Sequence, residues 1–115
     1  MSGERMRRVD VAMRQVLGDA LAQDLKDPRV GFVTVTDVKT SPDLRHARVY
    51  VSVLGDEPAQ QASLDGLRSA HGFLQSRVAG ELRLKRTPEL TFELDHTVER
   101  AARLEAILRE EERRA

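Results

Sequence analysis

An alternating run of apolar and polar residues at 46–53 constrains the fold more than any other feature of this chain. Its valines and one alanine occupy every second position, which is the period of a strand with one buried face. Residues 30–38 are rich in valine and threonine and have the composition of another strand. The sequence between them, Ser-Pro-Asp at 41–43, is typical of a turn. These segments therefore predict two strands joined by a short turn.

Apolar residues at helical spacing predict helices on both sides of this strand pair. The first helix runs from Arg5 to about Leu25, and Pro28 ends it because the residue before a proline is pushed out of the helical region. After the strands come two further helical stripes of leucine and valine. They are separated by Ala-His-Gly at 70–72, where the glycine permits a bend.

A third strand at 89–95 alternates in the same way, and Asp95 or Thr97 caps a terminal helix. We expect the charged tail at 109–115 to fray. The order is helix, strand, strand, helix, helix, strand, with an added C-terminal helix. It predicts an α+β fold in which three helical stripes cover one face of the sheet and leave the other solvated. Residues 1–108 are predicted to form a single domain, and the pattern alone is compatible with both type II KH and ferredoxin-like arrangements.

The few aromatic residues are predicted to be mainly structural. Phe73 and Phe92 occupy core positions of their helix and strand, whereas Tyr50 falls on the polar side of its strand. One exposed tyrosine is not a stacking platform, so single-strand recognition of the RRM or OB kind is disfavoured.

Composition excludes several classes of function. The 115 residues include no cysteine, so neither a disulfide nor a thiolate metal site is available. The histidines at 46, 71 and 96 lack metal-ligand spacing, and no glycine-rich phosphate loop or serine nucleophile elbow is present. The apolar runs are too short to span a membrane, and no secretory signal is recognisable. We therefore predict a cytoplasmic protein that is not an enzyme, uses no metal or cofactor and does not enter membranes.

The charge of the chain is polarised although its net value is zero. Neutrality is not typical of nucleic-acid binding, but basic residues concentrate at 66–88 and at 1–9 while acidic residues concentrate elsewhere. Arginine can give two parallel hydrogen bonds to phosphate oxygens, which favours an anion-binding face. The candidate RNA contacts are Arg77, Arg83, Lys85 and Arg86, followed by Arg5, Arg7, Arg8 and Arg45. Lys39 and Arg48 rank below them, because the open sheet face or nearby acids can account for both.

An ordered set of short motifs carries a resemblance to a known family. The motifs are DPRV at 27–30, TVTDV at 34–38, SPDL at 41–44, ARVYV at 47–51, AHG at 70–72 and RTPELTF at 86–92. In this order, and over roughly residues 5–108, they closely resemble ribosome-binding factor A, a family of bacterial assembly factors for the small ribosomal subunit. The resemblance implies a type II KH-like fold, α-β-β-α-α-β, with kinked central helices and an added C-terminal helix.

The resemblance also implies how RNA would be bound. In a conventional KH domain a Gly-x-x-Gly loop joins the two central helices and clamps the nucleic-acid backbone. Ribosome-binding factor A proteins are similar to this chain in having an Ala-x-Gly kink instead, here Ala70, His71 and Gly72. A single glycine bends a helix without opening a loop for phosphates, so we expect arginines to bind a folded RNA surface.

The family's role supplies the expected function. It implies binding to the immature small subunit and its rRNA, assistance in late maturation including processing of the rRNA 5′ end, and no catalytic activity. It further implies adaptation to cold, release with help from an assembly GTPase, and a monomer when free. The alternative is a protein-interaction module or a homodimer without direct RNA contact, motivated by the zero net charge and by an outer sheet surface at Thr34, Thr36 and Tyr50.

Overall fold

A computed structural model describes residues 3–114, which form four helices and three strands. Their order is α1 (Gly3–Gln23), β1 (Val33–Thr40), β2 (His46–Val53), α2 (Glu57–Ser69), α3 (His71–Leu82), β3 (Glu89–Leu94) and α4 (Thr97–Arg114). This is the order predicted for a KH-like fold with an added C-terminal helix. The predicted α+β fold class is therefore confirmed.

The strands form one sheet in the order β1-β2-β3, with β2 in the centre. β1 and β2 pair antiparallel, and the register shifts between Val35 and Asp37, which makes Thr36 the extra residue of a bulge. β2 and β3 pair parallel. Parallel neighbours need a long crossover connection, and α2 and α3 supply it.

The core lies between the sheet and the first three helices. Side chains at alternate positions of each strand face these helices, and the stripes of α1, α2 and α3 meet them. Each large apolar side chain buried in this way contributes about 1.5–3 kcal/mol. The most completely buried side chains include Met13, Leu17, Val38, Val49, Val51, Leu67, Leu74, Val78 and Leu90. These helices do not cover the opposite face of the sheet, which we call the open face.

The two aromatic residues predicted for the core behave differently. Phe92 is only 2% exposed, as predicted. Phe73 is 42% exposed, so the prediction for this residue is wrong. The physical reason is helix geometry: α3 buries Leu74 and Val78, and Phe73 lies about 100° around the helix from Leu74. Its ring lies near Arg77 instead, whose guanidinium carbon is 5.8 Å from the ring centre.

The first strand starts later than the sequence predicts, at Val33 instead of residue 30. The backbone N–H of Val30 donates to the carbonyl oxygen of Asp27 at 3.0 Å, which closes a turn. Arg29 also donates to the Asp27 carboxylate, through its backbone N–H at 2.9 Å and its guanidinium at 2.8 Å. Val30 then packs against α2 beside Gly66, so this segment joins the helical layer before the strand begins.

The C-terminal helix continues beyond its predicted end. The tail that is predicted to fray from Arg109 is helical as far as Arg114, and Ala115 lies outside the described residues. Ion pairs one turn apart support the extension, between Arg109 and Glu105 at 2.7 Å and between Arg114 and Glu110 at 3.0 Å. The predicted domain boundary at residue 108 thus falls inside a helix. None of the described α4 residues is buried, so α4 projects from the core.

Candidate nucleic-acid interface

Segments far apart in sequence meet at one end of the sheet. The backbone N–H of Glu89 donates to the carbonyl oxygen of Arg45 at 2.8 Å, so the β1–β2 turn lies against the entry of β3. Thr40, at the end of β1, donates to the Asp10 carboxylate of α1 through its backbone N–H at 3.0 Å and its hydroxyl at 2.5 Å. The turn, the α3–β3 loop and the first half of α1 therefore share this end. Four cations belong to the turn and the loop at this end of the sheet, and we call this set the basic end: Arg45, Arg83, Lys85 and Arg86.

Hydrogen bonds within the β1–β2 turn fix the position of Arg45. The Asp43 carboxylate accepts from the Ser41 hydroxyl at 2.6 Å and from the Arg45 backbone N–H at 3.0 Å. Both hydrogen bonds lower the pKa of Asp43, and the one from the Ser41 hydroxyl has the larger effect. Leu44 adopts a left-handed backbone with φ of 60°, and its N–H donates to the Ser41 carbonyl oxygen at 2.9 Å. A side chain on a turn held this firmly has less backbone freedom to lose on binding.

The α3–β3 loop is anchored on both sides. Helix α3 ends at Arg83, which has a left-handed backbone with φ of 48°. On the other side, the Gln75 side-chain amide donates to the Pro88 carbonyl oxygen at 2.7 Å and accepts from the Leu90 N–H at 3.1 Å. Within residues 3–114, no hydrogen bond or ion pair engages the side chains of Arg83, Lys85 and Arg86, and all three residues are exposed. Their charge is thus available to an anion.

Arg77 differs from the other three cations of its predicted cluster. Its guanidinium forms ion pairs with Asp24 at the end of α1 and with Glu81 one turn along α3, the latter at 2.9 Å. The hydrogen bonds to Glu81 and then Asp24 raise the pKa of Arg77. Arg77 therefore ties α1 to α3, and an RNA phosphate would have to displace carboxylates to reach it.

The N-terminal arginines lie beyond Asp10 on α1, at the same end of the sheet as the basic end. Arg8 pairs with Glu4 at 3.4 Å, but both side chains are at least 75% exposed, so the pair is weak. Arg5 and Arg7 are also exposed. At about 1.5 Å per residue, Arg5 stands roughly 7 Å along the helix axis from Asp10. These arginines can therefore extend a cationic surface beyond the edge of the sheet.

The Ala-x-Gly segment forms a kink between two helices. Ala70 alone separates α2 from α3, with φ of −86° and ψ of 9°, and no side chain caps the start of α3. A Cβ atom on Gly72 would meet nothing within 4 Å in the part of the chain that is described, so packing does not require this glycine. The Nε2 atom of His71 is buried without a hydrogen-bond partner among these residues, beside a groove of about 300 Å³ lined by Arg68 and β3.

Two other classes of site find no support in the described structure. Residues 3–114 contain no group of three or more histidine or acidic side chains placed to hold a metal ion. Among the same residues, no helix combines the length and the apolar character needed to cross a bilayer.

The sequence matches one known family over nearly its whole length. The sequence model of ribosome-binding factor A matches residues 5–108. The chain belongs to the ribosome-binding factor A family. The resemblance inferred from the ordered motifs is thereby confirmed, and the family is one of ribosome-binding factors.

Solved structures of the family are similar to this chain. A candidate ribosome-binding factor A of Thermotoga maritima, determined by NMR, is 36% identical with a TM-score of 0.72, over 81% of this chain and 89% of that one. The crystal structure of ribosome-binding factor A from Thermus thermophilus is 28% identical with a TM-score of 0.70, over 77% and 93%. A homology model of the Thermus thermophilus protein, fitted into a cryo-EM map of a 30S complex, is 29% identical with a TM-score of 0.63, over 75% and 90%.

Some residues that shape this interface carry no signal in the sequence. Gln75 holds the exit of the α3–β3 loop, yet a glutamine on a helix has no pattern that separates it from an ordinary surface residue. Lys39 and Arg48 prove to be direct cross-strand partners, which depends on a register that only the folded sheet defines. A basic run in the sequence is sufficient to nominate Arg83, Lys85 and Arg86 as candidates, whereas a pair across two strands can be recognised only in the folded sheet.

Proposed function

We propose that this protein binds the immature small ribosomal subunit and its rRNA and assists late maturation, including processing of the rRNA 5′ end, without catalytic activity. Membership of the ribosome-binding factor A family supports the proposal, as does the Thermus thermophilus relative fitted in a 30S complex. The observation that carries it is the α3–β3 loop, which presents Arg83, Lys85 and Arg86 without internal partners among the described residues and on an anchored backbone.

The proposed mechanism is selection among RNA conformers. A binder shifts a conformational equilibrium only through its different affinity for the states, so cations on a rigid frame favour the rRNA arrangement whose phosphates match their spacing. The protein would remain bound while that arrangement forms, with release aided by an assembly GTPase. Because misfolded RNA helices open slowly in the cold, such selection is most useful at low temperature. None of these steps requires bond cleavage by the protein.

Salt dependence provides the first test of the contact mode. About five phosphate contacts give a slope of roughly −4 in log K against log salt. Affinity for small subunits should then fall on the order of 100-fold between about 50 and 200 mM salt. A complex insensitive to salt would contradict contact through arginines.

Charge reversal at the loop tests the interface directly. The triple variant Arg83→Glu, Lys85→Glu, Arg86→Glu should leave small-subunit fractions of a sucrose gradient and remain at the top. The matched control reverses Lys26, Arg103 and Arg113, which are exposed, lie away from the basic end and undergo the same change in charge. Thermal unfolding of both variants checks that they fold. Primer extension on the rRNA 5′ end, in cells that carry only the loop variant, tests the role in processing.

A protein-interaction role is favoured by a different observation. Helix α4 exposes Val98, Leu104, Ile107 and Leu108 at 80%, 58%, 53% and 55% of their surface. Such a stripe on a helix outside the core fits a partner protein better than RNA. Unchanged association of the loop variant with subunits, combined with loss of association after Leu104→Glu and Leu108→Glu, would favour this second function.

A further inference from the structure

Two cations face each other on the open face of the sheet. Lys39 of β1 and Arg48 of β2 are direct partners in the antiparallel register. Both are exposed, and the neighbours of each along its strand are buried on the helical side. Like charges directly opposite each other on a sheet are destabilising. The fold therefore holds two cations together at a cost, which is the arrangement expected where an anion binds between them.

The surrounding charges leave this pair only partly neutralised. Within residues 3–114, the side chain of Lys39 has no hydrogen bond or ion pair. The Tyr50 side chain, followed by the negative charge of Glu93, raises the pKa of Arg48. Asp37 and Glu93 flank Tyr50 in the register and lie farther from the β1–β2 turn. The positive charge thus concentrates at the end of the open face nearest the turn.

The third basic group at that end is His46. His46 lies two residues before Arg48 on β2 and therefore faces the same side of the sheet. Its partner on the neighbouring parallel strand β3 is Glu89. A shallow depression of about 530 Å³ lies over this corner, lined by Lys39, Thr40, Ser41, His46, Arg48, Tyr50 and Thr91. Its size falls in the range of small-ligand sites, about 300–1,000 Å³. The corner therefore has room for a nucleotide.

Tyr50 gives the depression an aromatic wall. The residue is half-buried on the open face, with Asp37 of β1 and Glu93 of β3 as its partners across the two strand pairs. A base can stack on an exposed aromatic face whatever its identity, while cations beside it hold the phosphate. A single tyrosine is too little for the multi-base stacking of RRM or OB domains, but one ring beside a cation pair can hold one nucleotide with its phosphate.

We propose that Lys39 and Arg48 bind a phosphate of single-stranded rRNA on the open face, with the adjoining base stacked on Tyr50. This inference rests on the proposed function, because the RNA is that of the small subunit. Continuity with the basic end supports it: Arg45 lies in the turn between Lys39 and Arg48, and its carbonyl oxygen accepts from Glu89, three residues after Arg86. The RNA strand would pass from the α3–β3 loop around the end of the sheet and onto the open face.

The test uses the full chain and purified immature small subunits. The double variant Lys39→Gln, Arg48→Gln should bind on the order of 10-fold more weakly, and its salt slope should be smaller by about 1 for each phosphate that it no longer binds. The control Lys26→Gln, Arg113→Gln makes the same change in charge at two exposed positions, one in the loop after α1 and one near the end of α4, and should bind like the wild type. Tyr50→Ala should weaken binding about tenfold while Tyr50→Phe, which keeps the ring, should not.

Ultraviolet cross-linking identifies the contact independently of affinity. Trypsin cuts after Arg48 and Arg68, so a nucleotide on Tyr50 appears as a mass adduct of the peptide 49–68. That adduct, together with weaker binding of the double variant, supports the proposal. Adducts confined to peptides of the α3–β3 loop, with the double variant equal to its control, overturn it and leave the proposed function standing. Failure of the wild-type protein to sediment with subunits overturns both.

Discussion

At the scale of single residues, two half-buried carboxylates, Asp10 and Asp95, join elements that the sequence places far apart. Asp95 accepts from the Thr36 hydroxyl at 2.5 Å and from the Thr97 backbone N–H at 2.9 Å, so it links the bulge of β1 to the start of α4. Asp10 joins α1 to the end of β1 through Thr40. These contacts position the helices that flank the candidate interface.

Removal of the Asp95 carboxylate should make stability less dependent on pH. The hydroxyl of Thr36, followed by Thr97, lowers the pKa of Asp95 from 3.8 to about 2. Since the folded-state pKa is the lower one, the charged carboxylate stabilises the fold above about pH 4, and this stabilisation is lost as the pH falls toward 2. Asp95→Ala should lower the free energy of unfolding by about 1 kcal/mol at pH 6. Urea unfolding of both proteins between pH 6 and 2 should show the difference shrinking; a constant difference would contradict the assignment.

A cation facing another cation should be costly to stability. Lys39→Glu converts the repulsive cross-strand pair with Arg48 into an attractive one, so the free energy of unfolding should rise by about 0.5 kcal/mol at low salt. Urea denaturation measures the change, and added salt should diminish it. Lys26→Glu, at an exposed loop position, is the control. A loss of stability in Lys39→Glu would show that the two side chains do not repel each other.

At the scale of elements, glycines in α2 and α3 have opposite packing requirements. A Cβ atom on Gly66 would lie 2.7 Å from Cγ2 of Val30, whereas one on Gly80 would meet nothing within 4 Å among the described residues. Val30 is β-branched and has few alternative rotamers, so it cannot easily move aside. The close approach at Gly66 brings α2 against the segment that enters β1.

The two glycines form a matched pair for substitution. Gly66→Ala should destabilise the protein by about 1–3 kcal/mol, because overpacking outweighs the gain in helix propensity. Gly80→Ala, in the same type of element but in open space, should stabilise it by up to about 1 kcal/mol. Differential scanning calorimetry measures both. Stabilisation by Gly66→Ala would contradict the close contact with Val30.

At the scale of the whole molecule, the shape departs from that of a compact domain. The radius of gyration is 16.7 Å, compared with about 13 Å for a compact domain of about 100 residues. The extents of 57 × 39 × 19 Å describe a flat body with a projection. Helix α4, whose 18 residues span about 27 Å, accounts for the difference because none of its described residues is buried.

Removal of α4 should leave the core intact. A chain that ends after Thr97 keeps the contact of its backbone N–H with Asp95 and loses no buried side chain among the described residues. Its melting temperature should stay within about 4 °C of that of the full chain, since surface changes cost about 0.5 kcal/mol or less. Circular dichroism provides both the melting curve and the loss of helical signal. A larger fall in melting temperature would mean that α4 packs against the core.

Much of the fold could be predicted because it depends on local periodicity. A period of two identified β2 and β3, helical spacing identified the helices, and Pro28 marked the end of α1 within a few residues. The basic run at 83–86 was predicted for the same reason, since neighbours in sequence stay neighbours on a short loop. The motifs in their order were sufficient for the family.

The tertiary structure decided what depends on contacts between distant segments. Sequence alone predicted Phe73 in the core. It also ranked Arg77 among the candidate RNA contacts without any sign that Asp24, beyond the end of another helix, would pair with it. It could not place Lys39 opposite Arg48, since cross-strand register is set by the turn, the bulge at Thr36 and the packing of the buried face together. The sequence by itself determined the elements and the family. The folded chain determined which charged side chains pair with each other, because those pairs join segments that are far apart in sequence.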